Sequence, residues 1–139
     1  MNWIFWALLS AFFAGITAVL AKIGVKGVDS NLATAIRTTV VLVFSWSLVW
    51  MMGPAVRLGE ISKRTWLFLT LSGLATGLSW ICYFRALQIG QASRVAPVDK
   101  LSVVFAIVLA AIVLHERLGW QHFLGGGLIV AGAIILAWA

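Results

Sequence analysis

"VAPVDKLSVVFAIVLAAIVL", from Val95 to Leu114, is the stretch that decides the fold. It is apolar almost throughout, yet it holds Asp99 and Lys100 side by side. At about 1.5 Å of rise per residue, a helix of this length covers the roughly 30 Å of hydrocarbon in a bilayer. Its apolar residues run on without alternating, so the pattern is that of a helix and not of a strand.

Working outward, four more runs of the same kind appear. The spans are expected at about 3–21, 32–52, 66–86, 95–114 and 120–138. The joins "KGVDSN", "GPAVRLGEISKR", "QIGQASR" and "HERLG" carry turn-forming and charged residues. The expected fold is all-α, a single integral membrane bundle of five transmembrane helices over residues 1–139. The first run has no Lys or Arg before Lys22, so it reads as a retained membrane helix and not as a cleaved leader.

Composition agrees. The chain is 63% hydrophobic and 10% charged, with a mean hydropathy of +1.07. A soluble domain of 139 residues could not hide that much apolar surface, so lipid is its solvent. The formal charge of +6 does not point to nucleic acid, because the basic residues stand singly between apolar runs. The expected partners are membrane lipid and a small-molecule solute. Cys82, the one cysteine, reads as a small packing residue.

With five spans the two chain ends lie on opposite sides. Trp3, Trp6, Trp50, Trp66 and Trp120 then gather on the side of Met1, and Trp138 on the other, as interfacial belts do. Trp80 falls in mid-span. The loops on the Met1 side carry Arg57, Lys63, Arg64 and Arg117; the opposite connections carry Lys22, Lys26, Arg85 and Arg94. Loop charge is thus evenly divided. Adding Arg37 and Lys100, inside spans, gives the second side a six-to-four excess. Either that edge selects one orientation, or the chain inserts both ways.

The charges inside the spans are the candidate site. Adjacent helical residues point about 100° apart, so Asp99 and Lys100 are expected to face different partners. Arg37 and Asp99 both sit about 6–8 Å below the same surface by helical rise, which allows an ion pair between them. Intramembrane charges usually face a bundle interior or a water-filled cavity. A plainer reading remains open: Pro97 starts the helix, Asp99 favours its first turn, and Lys100 snorkels to the surface. Gly73 and Gly77 form a G-x-x-x-G step leading to Trp80 and Tyr83. That face suits either helix packing or a cleft for a solute. Gly127 and Ala131 give the last span a small-residue face as well.

Catalytic patterns are absent from the sequence. His115 and His122 lack zinc-site companions, and there is no nucleophile elbow or phosphate loop. No enzyme activity, metal or cofactor is expected.

Several stretches together resemble an EamA-type domain of the drug/metabolite transporter superfamily. "AGITAVLAKIG" resembles the end of its first span, with Lys22 as the terminal lysine. "NLATAIRTTVVLVF" resembles its second span, with Arg37 as the arginine. "FRALQIGQASRVAPVDKLSVVFAIVLAAIVLHERL" resembles its most recognisable stretch, where Ala86, Gly90, Ala92, Ser93 and Glu116 match in place. "GGGLIVAGAIIL" resembles the closing helix. Two departures stand out: Val103 replaces a frequent proline, and Asp99 and Lys100 replace apolar residues. The related small multidrug exporters carry a glutamate in the first span, where this chain has no acid. The resemblance implies one repeat of an inverted-repeat transporter, with a second copy supplied by an antiparallel homodimer in the plasma (inner) membrane. Export of a small anionic or zwitterionic metabolite such as an amino acid is then expected, the residues' positive balance favouring that charge; the alternative is a non-transporting membrane subunit, or a half-transporter that needs a different partner chain. Arg37, Lys100, Trp80 and Tyr83 would bind solute, and Asp99 would pair with Arg37 or take up a proton.

Overall fold

The computed structural model describes residues 2–53 and 58–139. Arg57, counted above among the loop cations, lies outside the described residues. Six α-helices follow in order: α1 (Trp3–Gly24), α2 (Ser30–Met52), α3 (Lys63–Ile89), α4 (Ala92–Asp99), α5 (Ser102–Val113) and α6 (Trp120–Trp138). A short 3-10 turn, Leu58–Glu60, precedes α3. Five segments are long and apolar enough to cross a membrane, with α4 and α5 together making the fourth.

The ends of these helices have local causes. The Asp29 side chain accepts hydrogen bonds from the amides of Asn31 (2.9 Å) and Leu32 (3.1 Å). That satisfies two of the orphan donors at the start of α2 and moves its beginning back to Ser30. The Ser62 hydroxyl accepts from the Thr65 amide at 3.1 Å, so α3 starts at Lys63, ahead of the apolar run. Lys63 and Arg64 are therefore in its first turn, and Arg64 lies over Phe68, one turn on. Gly53 ends α2 with a φ of 70°, a conformation glycine adopts without steric cost. After α5, His115 takes a φ of 54°, which is unusual without glycine.

The fourth expected span differs most from the expectation. It is not one helix over 95–114 but two, α4 and α5, joined at Lys100 and Leu101. Pro97 lies inside α4 and has no N–H to give the carbonyl of Ser93. The amides of Lys100, Leu101, Val103 and Val104 then bond the third carbonyl back, at 2.9–3.1 Å, instead of the fourth. That is a 3-10 turn spliced into an α-helix.

By contact the chain forms two compact units. One joins the residues up to Ile23 with Ile89–Ala139. In it α4 and α5 pack against α6, where Gly126 and Ala133 are buried. The Lys22 ammonium donates to the Gly90 carbonyl at 2.7 Å, tying the end of α1 to the start of α4. The other unit is Gly24–Gln88, whose buried side chains include Val25, Phe84 and Leu87. There the Gln88 amide donates to the Val28 carbonyl at 2.6 Å and its oxygen accepts from Arg85.

Most large apolar side chains are exposed, the inverse of a soluble protein and the pattern a lipid solvent permits. The tryptophans expected at span ends are all exposed, while Trp80 is half-buried. Cys82, expected to pack, is exposed instead.

Candidate functional site

The Gly24–Gln88 unit builds its site on two unbroken helices. Arg37 stands seven residues into α2, about 10 Å from its start by helical rise. Its guanidinium carbon lies 4.2 Å over the ring of Trp80 and 5.6 Å from that of Phe84. Trp80 and Phe84 are four residues apart on α3, so they form one aromatic face. Tyr83 stands edge-on to Phe84, with centroids 6.5 Å apart. A cation over an aromatic face is stabilised by the ring quadrupole, by about 2 kcal/mol or more when desolvated. Among the described residues of its unit, no carboxylate pairs with Arg37. The arginine is thus held by apolar surface, and its fork of donors keeps its full positive field.

Along the same helix pair runs an open groove of about 460 Å³. Its walls include Asn31, Thr34, Thr38, Thr39, Gly77 and Ile81. The hydroxyls of Thr34 and Thr38 donate to the carbonyls one turn back, at 2.7 Å each, and that of Thr39 does so at 3.0 Å. This is how a helix carries hydroxyls in lipid with their protons bonded. The groove shows Gly77 in a different light. A methyl group on Gly73, Gly77 or Gly127 would meet nothing within 4 Å, and Ala131 is exposed. Among the described residues, Gly73, Gly77 and Gly127 thus have open space where packing was read.

The other unit holds charge differently. Lys100 Nζ lies 3.5 Å from Asp99 Oδ2. The expectation that these neighbours face different partners is not met: a 3-10 turn sets successive residues about 120° apart, but the long lysine side chain reaches back to the carboxylate. The pair is half-open: the Asp99 side chain keeps 35% of its exposure and that of Lys100 56%. Asp99 is not in the first turn of a helix that Pro97 begins, as the plainer reading held, since α4 begins at Ala92 and Asp99 closes it. The histidines are polar end groups, with His122 Nδ1 accepting from the Gly119 amide at 3.1 Å at the start of α6.

Sequence reasoning named Arg37 and Trp80 separately, and the structure brings them together. It missed the threonine wall, although the one-turn spacing of Thr34 and Thr38 was a usable signal. It also missed the Lys22 bond to Gly90, for which the sequence offered none.

Five apolar spans with charged and hydroxyl groups set inside them define a multi-pass membrane protein with polar sites at membrane depth. The EamA-like transporter family model matches residues 1–138, and the chain belongs to that family. It is therefore of a membrane transporter class. An uncharacterized transporter in cobO 3'region from Sinorhizobium sp. is 52% identical over 136 residues, 98% of this chain and 96% of that protein. A probable 4-amino-4-deoxy-L-arabinose-phosphoundecaprenol flippase subunit ArnE from Pseudomonas fluorescens is 28% identical, over 63% of this chain and 75% of its own length. The protein of that name from Enterobacter sp. is 30% identical, over 55% and 72%. No solved structure matches the chain.

Proposed function

We propose that this protein moves a small anionic or zwitterionic metabolite, such as an amino acid, out across the plasma (inner) membrane as an antiparallel homodimer. The observation that carries the reading is Arg37 on its aromatic platform inside a membrane span. A desolvated guanidinium without a carboxylate partner in its unit is a receptor for a carboxylate or phosphate. Trp80 holds it in place, and Tyr83 offers the solute an aromatic wall. Lys100 supplies a second cation, which leaves Asp99 when an anion arrives. When the solute leaves, Asp99 takes up a proton. The evenly divided loop charge supports insertion in both orientations, and transporters of inverted repeats bind solute where the repeats meet.

The relatives named as flippase subunits favour a second reading, in which the chain is half of a transporter and needs a different partner. Both readings meet one experiment: solute uptake into liposomes that contain only this protein. The homodimer reading expects flux by the wild type. Arg37→Ala and Lys100→Gln should each lose about 10- to 100-fold, the worth of a hydrogen bond to a charged group. Lys100→Arg should keep part of the flux, because it restores charge with a bulkier head. No flux by the wild type alone, regained with a second chain, would establish the half-transporter. Reporter tags at the C-terminus should show both orientations, and two lysines added beside Arg57 should leave one.

A further inference from the structure

The two pieces of the fourth span are held unequally. The amides of Lys100, Leu101, Val103 and Val104 bond the third carbonyl back, and by Phe105 the amide also reaches the fourth, that of Leu101, at 3.2 Å. The irregular turn is thus confined to the join of α4 and α5. On one side of it α4 is anchored. α6 packs more extensively on α4 than on the longer α5. Ala92, Val95, Ala96 and Pro97 are half-buried. Lys22 Nζ ties Gly90, two residues before α4, to the end of α1. On the other side α5 buries no residue, and Phe105, Leu109, Ile112 and Val113 are exposed. Beyond Val113, residues 115–119 reach α6 without forming a helix, and His115 there has its φ of 54°. α5 is therefore a rod of 12 residues with a joint at each end.

We propose that Lys100 and Leu101 are a hinge, about which α5 tilts while α4 stays fixed on α6. Hinges are a few residues at element ends that absorb a change in φ and ψ. Lys100 has a ψ of −8° and Leu101 a ψ of −20°. A change of about 20–35° returns both to α-helical values, so a second position lies close by. Little holds the turn in its present form, because 3-10 bonds have poorer geometry and Pro97 has no N–H to hold the turn before it. α5 is about 18 Å long by helical rise, so a tilt of about 20° carries its far end about 6 Å. An element with two positions inside a span lets a transporter open first to one side of the membrane and then to the other. The inference rests on the transporter class, and not on the solute or the homodimer.

The test reads distances between spin labels in lipid nanodiscs, on a Cys82→Ser background. Labelled chains are diluted among unlabelled ones, so that only distances within a chain are read. Labels at Ile112→Cys and Phe123→Cys follow α5 against α6, and labels at Val98→Cys and Ile135→Cys follow α4 against α6. The first pair should give a broad or two-peaked distribution, spread by about 6 Å, and the second a single narrow peak. Pro97→Ala, which restores an amide, should narrow the first. Hydrogen exchange by the wild type reads the same joint without substitution. The amides of Lys100, Leu101, Val103 and Val104 should exchange about tenfold faster than those of α6, or more. A single narrow peak for the first pair overturns the hinge. So does equal breadth in both pairs, which would mean that α4 moves with α5, or a breadth that Pro97→Ala leaves unchanged. Equal protection of the joint and α6 overturns it as well. A lack of liposome flux would leave these distances standing, so the hinge and the solute reading fail separately.

Discussion

The α2–α3 pair and the α4–α5 segment each hold charge inside a membrane span, and they do so by opposite means. In the first, both helices are continuous and the cation is shielded by aromatic rings, with Arg37 over Trp80. In the second, the helix itself is interrupted, and cation and anion are neighbours on the turn. An aromatic platform stabilises a charge without neutralising it, whereas an ion pair neutralises both members. The first arrangement suits a standing anion receptor, and the second suits a charge exchanged on binding. Geometry decides which is possible. A guanidinium can reach a ring on the next helix, while sequence neighbours meet only where a long side chain folds back along its own turn.

The comparison breaks most readily at Asp99. In a double-mutant cycle on detergent-solubilised protein, Asp99→Ala and Lys100→Ala should be coupled by about 0.5–3 kcal/mol. Each single change strands one charge in the span, and the double change strands none. A parallel cycle on Arg37 and Asp99 decides whether the pair allowed by the sequence forms as well. Additive losses at Asp99 and Lys100 would mean that the pair contributes nothing.

The aromatic side is sharpened by Trp80→Leu, which keeps apolar bulk and removes the quadrupole. Stability should fall by about 0.5–2 kcal/mol, and Trp80→Phe should recover much of it. Equal melting of the Leu and wild-type proteins would show that the ring acts only as a spacer.

The smallest effect is at the entrance to α2, where both arrangements depend on helix position. Asp29→Ala should cost about 1 kcal/mol in thermal or denaturant unfolding, and Asp29→Asn distinctly less, because Asn caps as well as Asp. Equal losses for the two would assign the effect to charge and not to capping.

How much was legible in the sequence depended on the kind of signal. Spans were legible to within a few residues, because hydropathy sums along the chain and tolerates local error. The early start of α3 at Lys63 was not, since capping by Ser62 outweighs the charge of the residues that follow. The importance of Arg37 was visible from its isolation in an apolar run. Its partner was not, because Trp80 lies 43 residues away on another helix. Pro97 announced a disturbance, but whether a proline kinks a helix, begins one or turns it into 3-10 depends on what its neighbours' amides find.

By itself the sequence determined the solvent, the number of spans and the family, since these follow from composition, run length and motif order. Only the tertiary structure decided which polar groups meet. Rotation about each helix axis sets the face on which a side chain falls, and a single 3-10 turn at Lys100 and Leu101 resets that rotation. The Val103 amide there bonds Lys100 in place of Asp99, the Lys100 side chain reaches back to the Asp99 carboxylate, and a stretch that reads as one greasy helix holds a polar break.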